Sequence, residues 1–435
     1  MNGQKHKIRI TVIIVLLFAV AMTVTVWGQR KKTITLGVFT GSPWDVPDAY
    51  PYELIEHAIA VFEEKHPGVK VEYVSGIQKE DYSEWLSGSL LEGTAPDVFF
   101  VLAEDFGTFV NVGALSDLDS FIKREGGLQD EYYEVPYESG RINSVQYALP
   151  VESVPYMMFV NKTLLEKENI QLPDSRWNWN DFYNICKKVT KDTDGNGIID
   201  QFGVYDYDWK FAFVTNDVDI LSEGGDTCSL YSENACEAVD FLKRLNALDE
   251  GNIVKSDDFA QGKVAFMPVL LSDYRTYKPY PWSIKKYSNF DWDCITLPHG
   301  PGGDNTSFMD TLLMGINART TQEELAWDLL LTFCNTDEVQ MDIYKYSEGA
   351  SVLKSVTKAQ TSMLLINQDS PENSGINVNL VDQLMENADS GYSFLYSDDI
   401  EYMITQEMED ILINEKNTTI SLQMLERRIN QYLNK

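Results

Sequence analysis

Histidine is scarce in this chain of 435 residues, which holds four, at positions 6, 57, 66 and 299. It also has no Gly-x-Ser-x-Gly elbow, no His-Glu-x-x-His pair and no Walker loop, so serine hydrolases, zinc peptidases and nucleotide hydrolases lose their usual machinery. His299 stands in Pro298-His299-Gly300-Pro301, the setting of a turn rather than of a general base. Paired carboxylates, the other common hydrolytic device, offer no means of choice among 67 Asp and Glu. The five cysteines, Cys186, Cys228, Cys236, Cys294 and Cys334, are an odd number without a Cys-x-x-Cys pair, which argues against a zinc cluster or a thiol redox centre. Inert, buried thiols are expected, with a small-loop disulfide between Cys228 and Cys236 as the alternative in an oxidising compartment. Basic charge is short as well: 35 Lys and Arg against 67 acids give −32 at pH 7. Such a field repels nucleic acid and anionic lipid, so no nucleic-acid partner is expected.

The length predicts two or three domains at about 150 residues each, and 44% hydrophobic with 23% charged residues is ordinary globular composition. Aromatic residues are abundant, with 23 Tyr and 9 Trp. At the N-terminus, Lys5, Lys7 and Arg9 precede an uncharged apolar run over residues 10–27. This reads as an export signal with cleavage after Gly28, or as an uncleaved anchor, because the run approaches the roughly 20 residues that span a bilayer. No Cys follows the run, so a lipid-anchored form is not expected.

Residues 33–39 alternate as a strand and end in Thr40-Gly41-Ser42-Pro43-Trp44, a turn cluster. Leu54, Ile55, Ala58, Ile59 and Phe62 recur at helical spacing up to His66-Pro67-Gly68. Val69, Val71 and Tyr73 alternate again, a second helical pattern covers residues 82–91, and residues 98–102 are a continuous apolar run. This βαβαβ beginning predicts an α/β fold with a mostly parallel sheet and ligands at the carboxyl ends of its strands. A second α/β unit follows residue 150, and helices dominate from residue 323 onward.

The segment Asp192-Thr193-Asp194-Gly195-Asn196-Gly197-Ile198-Ile199-Asp200 places oxygens at loop positions 1, 3, 5, 7 and 9. Side chains of Asp192, Asp194, Asn196 and Asp200 with the Ile198 carbonyl suit a hard cation, so a structural Ca²⁺ is one expectation. Gly203 stands where an EF-hand has its bidentate Glu. A metal-free Asx/Gly turn is the other reading. No organic cofactor is expected. Trp44, Trp209 and Trp282 fall on predicted loops, where each is either core or part of a binding surface. Flat aromatic faces beside Asp, Glu and Asn suit sugars, whose apolar C–H faces are ringed by hydroxyls.

In their order, Glu92-Gly93-Thr94-Ala95-Pro96-Asp97-Val98, residues 147–152 with Phe159-Val160-Asn161-Lys162, residues 259–267, Gly315-Ile316-Asn317 and Thr336-Asp337-Glu338 resemble the sugar-binding family of extracellular solute-binding proteins of ABC importers. The resemblance covers nearly all of residues 33–435. It implies a class II periplasmic-binding-protein-like fold, with two hinge-linked α/β lobes built on mixed, mostly parallel sheets flanked by helices. Residues 1–28 would be the signal or anchor, 33–150 plus 292–334 lobe one, and 151–291 plus 335–435 lobe two, with crossings near Pro150, near Asp291 and after Cys334. It further implies an exported, non-enzymatic monomer that binds a carbohydrate in the interlobe cleft and delivers it to the permease transmembrane subunits. A sensory protein handing its loaded form to a receptor is the alternative, and a secreted glycoside-processing enzyme a more distant one. By position in the family pattern, the cleft would draw on Trp44, Gln78, Asp97, Glu152, Tyr156, Trp209, Trp282 and Asp310.

Overall fold

In the computed structural model the described residues are 32–46, 50, 52–222, 225–276, 290–367, 375–377, 379–389 and 398–434. The export or anchor segment lies outside them. Five elements open the fold: β1 (Lys32–Gly37), α1 (Glu53–Lys65), β2 (Val69–Tyr73), α2 (Lys79–Glu92) and β3 (Val98–Val101). Helix α1 buries Ile55, Ala58, Val61 and Phe62, the stripe that a 3.6-residue period draws along one face. Helix α2 ends at Gly93 with φ of 72°, a left-handed C-cap that glycine adopts without steric cost. Strand β1 pairs parallel to both β2 and β3, so all three direct their carboxyl ends to the same side.

Strand β4 (Ala148–Asn161) is buried along nearly its whole length. Lobe two follows with α3 (Trp179–Val189), β5 (Phe202–Val204), α4 (Trp209–Val214), α5 (Glu233–Asn246), β6 (Val264–Leu270), α6 (Leu271–Thr276) and β7 (Trp292–Ile295). Strand β8 (Ser307–Ile316) then returns to lobe one. The main path of the sheet runs β7-β4-β8-β3-β1-β2, with β6 also on β4 and β5 on β6. The first half of β4 pairs with β8, from Gly315↔Ala148 to Met309↔Pro155. Its second half pairs with β6 from Tyr156↔Leu270 and with β7 from Met158↔Ile295. The chain closes with α7 (Glu323–Cys334), α8 (Asp337–Tyr346), β9 (Ala388–Asp389), α9 (Asp398–Ile413) and α10 (Thr418–Leu433).

These pairings move the lobe boundaries from where the sequence placed them. The first crossing is at Pro155 and Tyr156 rather than Pro150, because β4 stays on β8 through Pro155. The second is at Phe308 and Met309 rather than Asp291, because β7 belongs to the lobe-two half of β4 and Trp179 N–H donates to the His299 carbonyl at 2.8 Å. After Cys334 the chain stays on lobe one through α8, touches β7 at residues 375 and 376, and makes its last crossing after Asp389. Helix α8 packs on α1, where His57 Nδ1 bonds the Asp342 carboxylate and Nε2 lies 3.5 Å from Glu338, and Val339, Val352 and Leu380 join one core with Phe99 and Trp327. Residues 375 and 376 pair with β7, and α9 and α10 lie in lobe two, where Ile400, Ile404 and Leu422 meet Val239 and Leu242 of α5. Strand β9 lies on β8 at Ser307↔Ala388, so the crossings are neighbouring strands in the order β4, β8, β9.

All five cysteines are free. Among the described residues no helix is long and apolar enough to cross a membrane.

Candidate functional site

Tyr156 is the first residue of β4 beyond the lobe-one ladder, and its ring stands where the lobes meet. It lies 4.3 Å from the Phe308 ring and 5.3 Å from Phe211, edge to face. Phe211 in turn stacks on Tyr207 at 5.7 Å. Ser307 Oγ donates to the Tyr156 carbonyl at 2.6 Å and holds β4 and β8 together at this point.

Carboxylates surround the rings. Burial pushes the Tyr156 hydroxyl well above the ordinary phenol range, and the charges of Asp310, Asp273, Asp208 and Asp206 push it further. Asp310 is on β8, opposite Val154. Asp208 caps α4, its Oδ1 accepting from Lys210 N–H at 2.8 Å. Burial nevertheless pushes its pKa up to about 6. The Asp273 carboxylate accepts from Leu270 N–H at 3.3 Å, and its pKa too is raised by burial. Aromatic faces beside a ring of acceptors can hold a polyhydroxylated ligand, the rings taking its C–H faces and the carboxylates its hydroxyls.

The structure brings Tyr156 and Asp310 together from the residues that the sequence singled out. Trp44 and Gln78 are at the carboxyl ends of β1 and β2, on the side of the sheet that faces the crossings. Trp44 is half-buried, and among the described residues its indole N–H has no acceptor. Gln78 is exposed, beside Thr40 in a parallel bridge. Glu152 is buried inside the hinge, where its Oε2 accepts from Ser347 Oγ at 2.6 Å.

Two residues lie elsewhere. Asp97 precedes β3 at the amino end of the strand, since Val98 pairs with Ile316 and Val101 with Leu313 nearer the crossing. Its carboxylate accepts from Thr35 N–H at 2.9 Å, Thr35 Oγ1 at 2.8 Å and Thr320 Oγ1 at 2.5 Å, which ties β1 and the end of β8 to β3. Trp209 is buried and turns toward α9, with its Nε1 donating to Thr405 Oγ1 at 3.2 Å and its ring edge-on to Phe213. A residue two positions along a helix points to another side, so Phe211 reaches Tyr156 where Trp209 does not. Trp282 lies outside the described residues.

Sequence reasoning did not single out Phe211, Phe308, Asp208 or Asp273. The stretch Tyr205-Asp206-Tyr207-Asp208-Trp209 carried the signal for Asp208. Phe308 had none, because its place depends on the β4/β8 register.

In the loop at 192–200, Asp192 accepts from the backbone N–H groups of Asp194, Gly195 and Gly197, and Asp200 accepts from Thr193. These bonds hold both carboxyls below their ordinary pKa. Among the described residues no group of three or more His, Cys, Asp or Glu side chains converges to hold a metal ion. The same carboxylates accept hydrogen bonds from the loop's own backbone.

Two lobes joined by adjacent crossing strands, with an aromatic, acidic cluster where they meet, define a bilobal fold. The sequence profile of the bacterial extracellular solute-binding proteins matches residues 44–341, and the chain belongs to that family. It is 24% identical over 342 residues to the galactooligosaccharide-binding protein of Bacillus subtilis (strain 168), covering 73% of this chain and 74% of that protein. Among solved structures, the sugar-binding protein MalE from Xanthomonas citri superposes with a TM-score of 0.74 at 14% identity, over 92% of this chain and 97% of its own. The ABC substrate-binding protein from Listeria monocytogenes in complex with cycloalternan gives 0.67 at 18% identity, over 93% and 99%. The fold is thus that of the class II periplasmic binding proteins.

Proposed function

We propose that the chain is the exported, non-enzymatic binding subunit of an ABC importer, which captures an oligosaccharide between its lobes and presents it to permease transmembrane subunits. The observation that carries this reading is the cluster at the crossing, where Tyr156 stands between Phe308 and Phe211 with Asp310, Asp273 and Asp208 around it. Closure desolvates a sugar's hydroxyls, and only a stereoisomer whose hydroxyls meet matched acceptors avoids leaving buried polar groups unpaired. The relatives whose names specify galactooligosaccharide, sugar or cycloalternan support a carbohydrate ligand. No covalent step is needed. Release follows when a partner favours the open arrangement.

The test is thermal unfolding against a panel of mono- and oligosaccharides. A ligand at 100 times its Kd adds about 2.7 kcal/mol, which raises the midpoint by a few degrees in a protein of this size. One sugar class is expected to do this without being converted to product. If no sugar shifts the midpoint while a peptide does, the carbohydrate assignment falls; turnover of the bound sugar would replace the binding-protein reading with an enzyme.

A further inference from the structure

Strand β1 begins at Lys32 with its amino end turned away from the crossings, so the chain that precedes it leaves from the base of lobe one. The uncharged apolar run over residues 10–27 is separated from β1 by residues 28–31 alone. Four extended residues span about 14 Å at most, and the headgroup layer outside the hydrocarbon core takes up about 5–8 Å of that. The run is longer than the roughly 7–15 apolar residues of a cleaved signal, and Val26-Trp27-Gly28 lacks the small-x-small pattern of a cleavage site. Trp27 is also the residue type that collects at the edge of a bilayer.

The base carries two of the most exposed apolar side chains among the described residues, Leu91 at 89% and Val112 at 70%. Leu91 is in the last turn of α2, and Val112 ends the helix Ala103–Asn111. With Leu90, Ala114 and Arg319 they rim a groove of about 340 Å³. Thr321 of the same lining precedes Gln322, whose Nε2 donates to the Thr33 carbonyl at 2.8 Å, one residue from Lys32. Groove and tether therefore share one face of the lobe. Arg319 is exposed, and among the described residues its guanidinium has no ion pair. The one carboxylate in the lining, Asp97, is taken by Thr35 and Thr320. A single exposed Leu or Val needs no explanation; two of them beside an unpaired Arg, at the end from which the tether leaves, do.

We propose that residues 10–27 stay attached as a membrane anchor and that the base of lobe one rests on an anionic phospholipid surface, with Leu91 and Val112 at the headgroup boundary and Arg319 on a lipid phosphate. The base brings Arg30, Lys31, Lys32 and Arg319 to the lipid, and basic residues next to a membrane are drawn to anionic headgroups. The net charge of −32 turns the rest of the molecule away from the same surface. Contact through the base faces the crossings toward the outer medium, where a solute arrives, and presentation to a permease then requires the molecule to tip about its tether. The proposal does not rest on sugar capture.

The experiment uses the full chain in vesicles of phosphatidylethanolamine with a quarter phosphatidylglycerol. Nitroxide labels are placed singly at Leu91→Cys, Val112→Cys and, in lobe two, Ile253→Cys, which is 80% exposed. The background is Cys236→Ser, since the other four cysteines are buried. Collision with a water-soluble nickel chelate is expected to be at least fivefold less frequent at 91 and 112 than at 253, and Arg319→Gln should restore part of it at 112. Equal collision rates at all three sites in vesicle-bound protein would overturn the contact, and protection undiminished in Arg319→Gln would overturn the phosphate's place in it. The chain isolated from its host's membrane should keep its full mass of 49.5 kDa; a mass short by residues 1–28 would overturn the anchor.

Discussion

Arg275 and Gly349 are joined across the lobes by a 2.6 Å hydrogen bond from the guanidinium Nη1 to the glycine carbonyl. The same guanidinium, on α6 at the end of lobe two, donates to the carbonyls of Ile343 at 3.2 Å and Tyr344 at 2.9 Å. It therefore caps the C-terminal end of α8 in lobe one, where a cation is favoured by the helix dipole. Arg275 is 8% exposed. Arg275→Ala is expected to lower stability by about 3 kcal/mol or more, because three carbonyls lose a charged donor at once. Arg275→Lys should recover only part of this, since one ammonium lacks the planar fork. Urea denaturation of the two variants measures both.

Tyr156→Ala should weaken the sugar found by the thermal panel at least tenfold, about 1.4 kcal/mol, while Tyr156→Phe keeps the stacking and isolates the hydroxyl. Titration calorimetry separates the two. Unchanged affinity in Tyr156→Ala would move the binding surface away from the crossing.

Asp249 bears on pH-dependent stability. Its folded pKa, about 6, is above the ordinary 3.8, so between those values the folded state holds a proton that the unfolded state has lost. Stability from this group thus falls as pH rises from about 4 to 6 and stays lower above that. Asp249→Asn should accordingly be more stable than the parent at pH 7, by about 1 kcal/mol or more, with the gain vanishing near pH 4. Thermal midpoints across pH 4–7 check the sign.

Asp192→Ala should lower the thermal midpoint even with chelator present, because Asp194, Gly195 and Gly197 lose their shared acceptor. Added calcium is the second arm. A stabilisation by calcium that the parent shows and the variant lacks would assign an ion to this loop.

The elements of lobe one up to β3 were legible because their signals are local. Helix α1 shows its buried stripe in sequence, and β3, buried on both faces, is a continuous apolar run. The crossings were not legible, because Pro155 finds Met309 and Ser307 finds Ala388 only in the folded sheet. The amphipathic pattern of α8 could not say that its partner would be α1, nearly three hundred residues earlier. At the site, the aromatic and acidic character of residues 205–209 was visible, but which ring faces the cleft depends on the rotation of a six-residue helix. Asp97 stood out by motif for a different reason: three hydroxyl and amide donors of lobe one need its carboxylate.

The place of β8 between β3 and β4 fixes the order in which the molecule can be completed. A nascent or translocating chain that has delivered β1, β2, β3 and the first half of β4 still has a gap in the middle of its sheet, to be filled by residues 307–316. Contacts this distant in sequence form slowly. Most of the chain must therefore be made before lobe one can close, and residues 307–316 are the piece that completes the middle of its sheet.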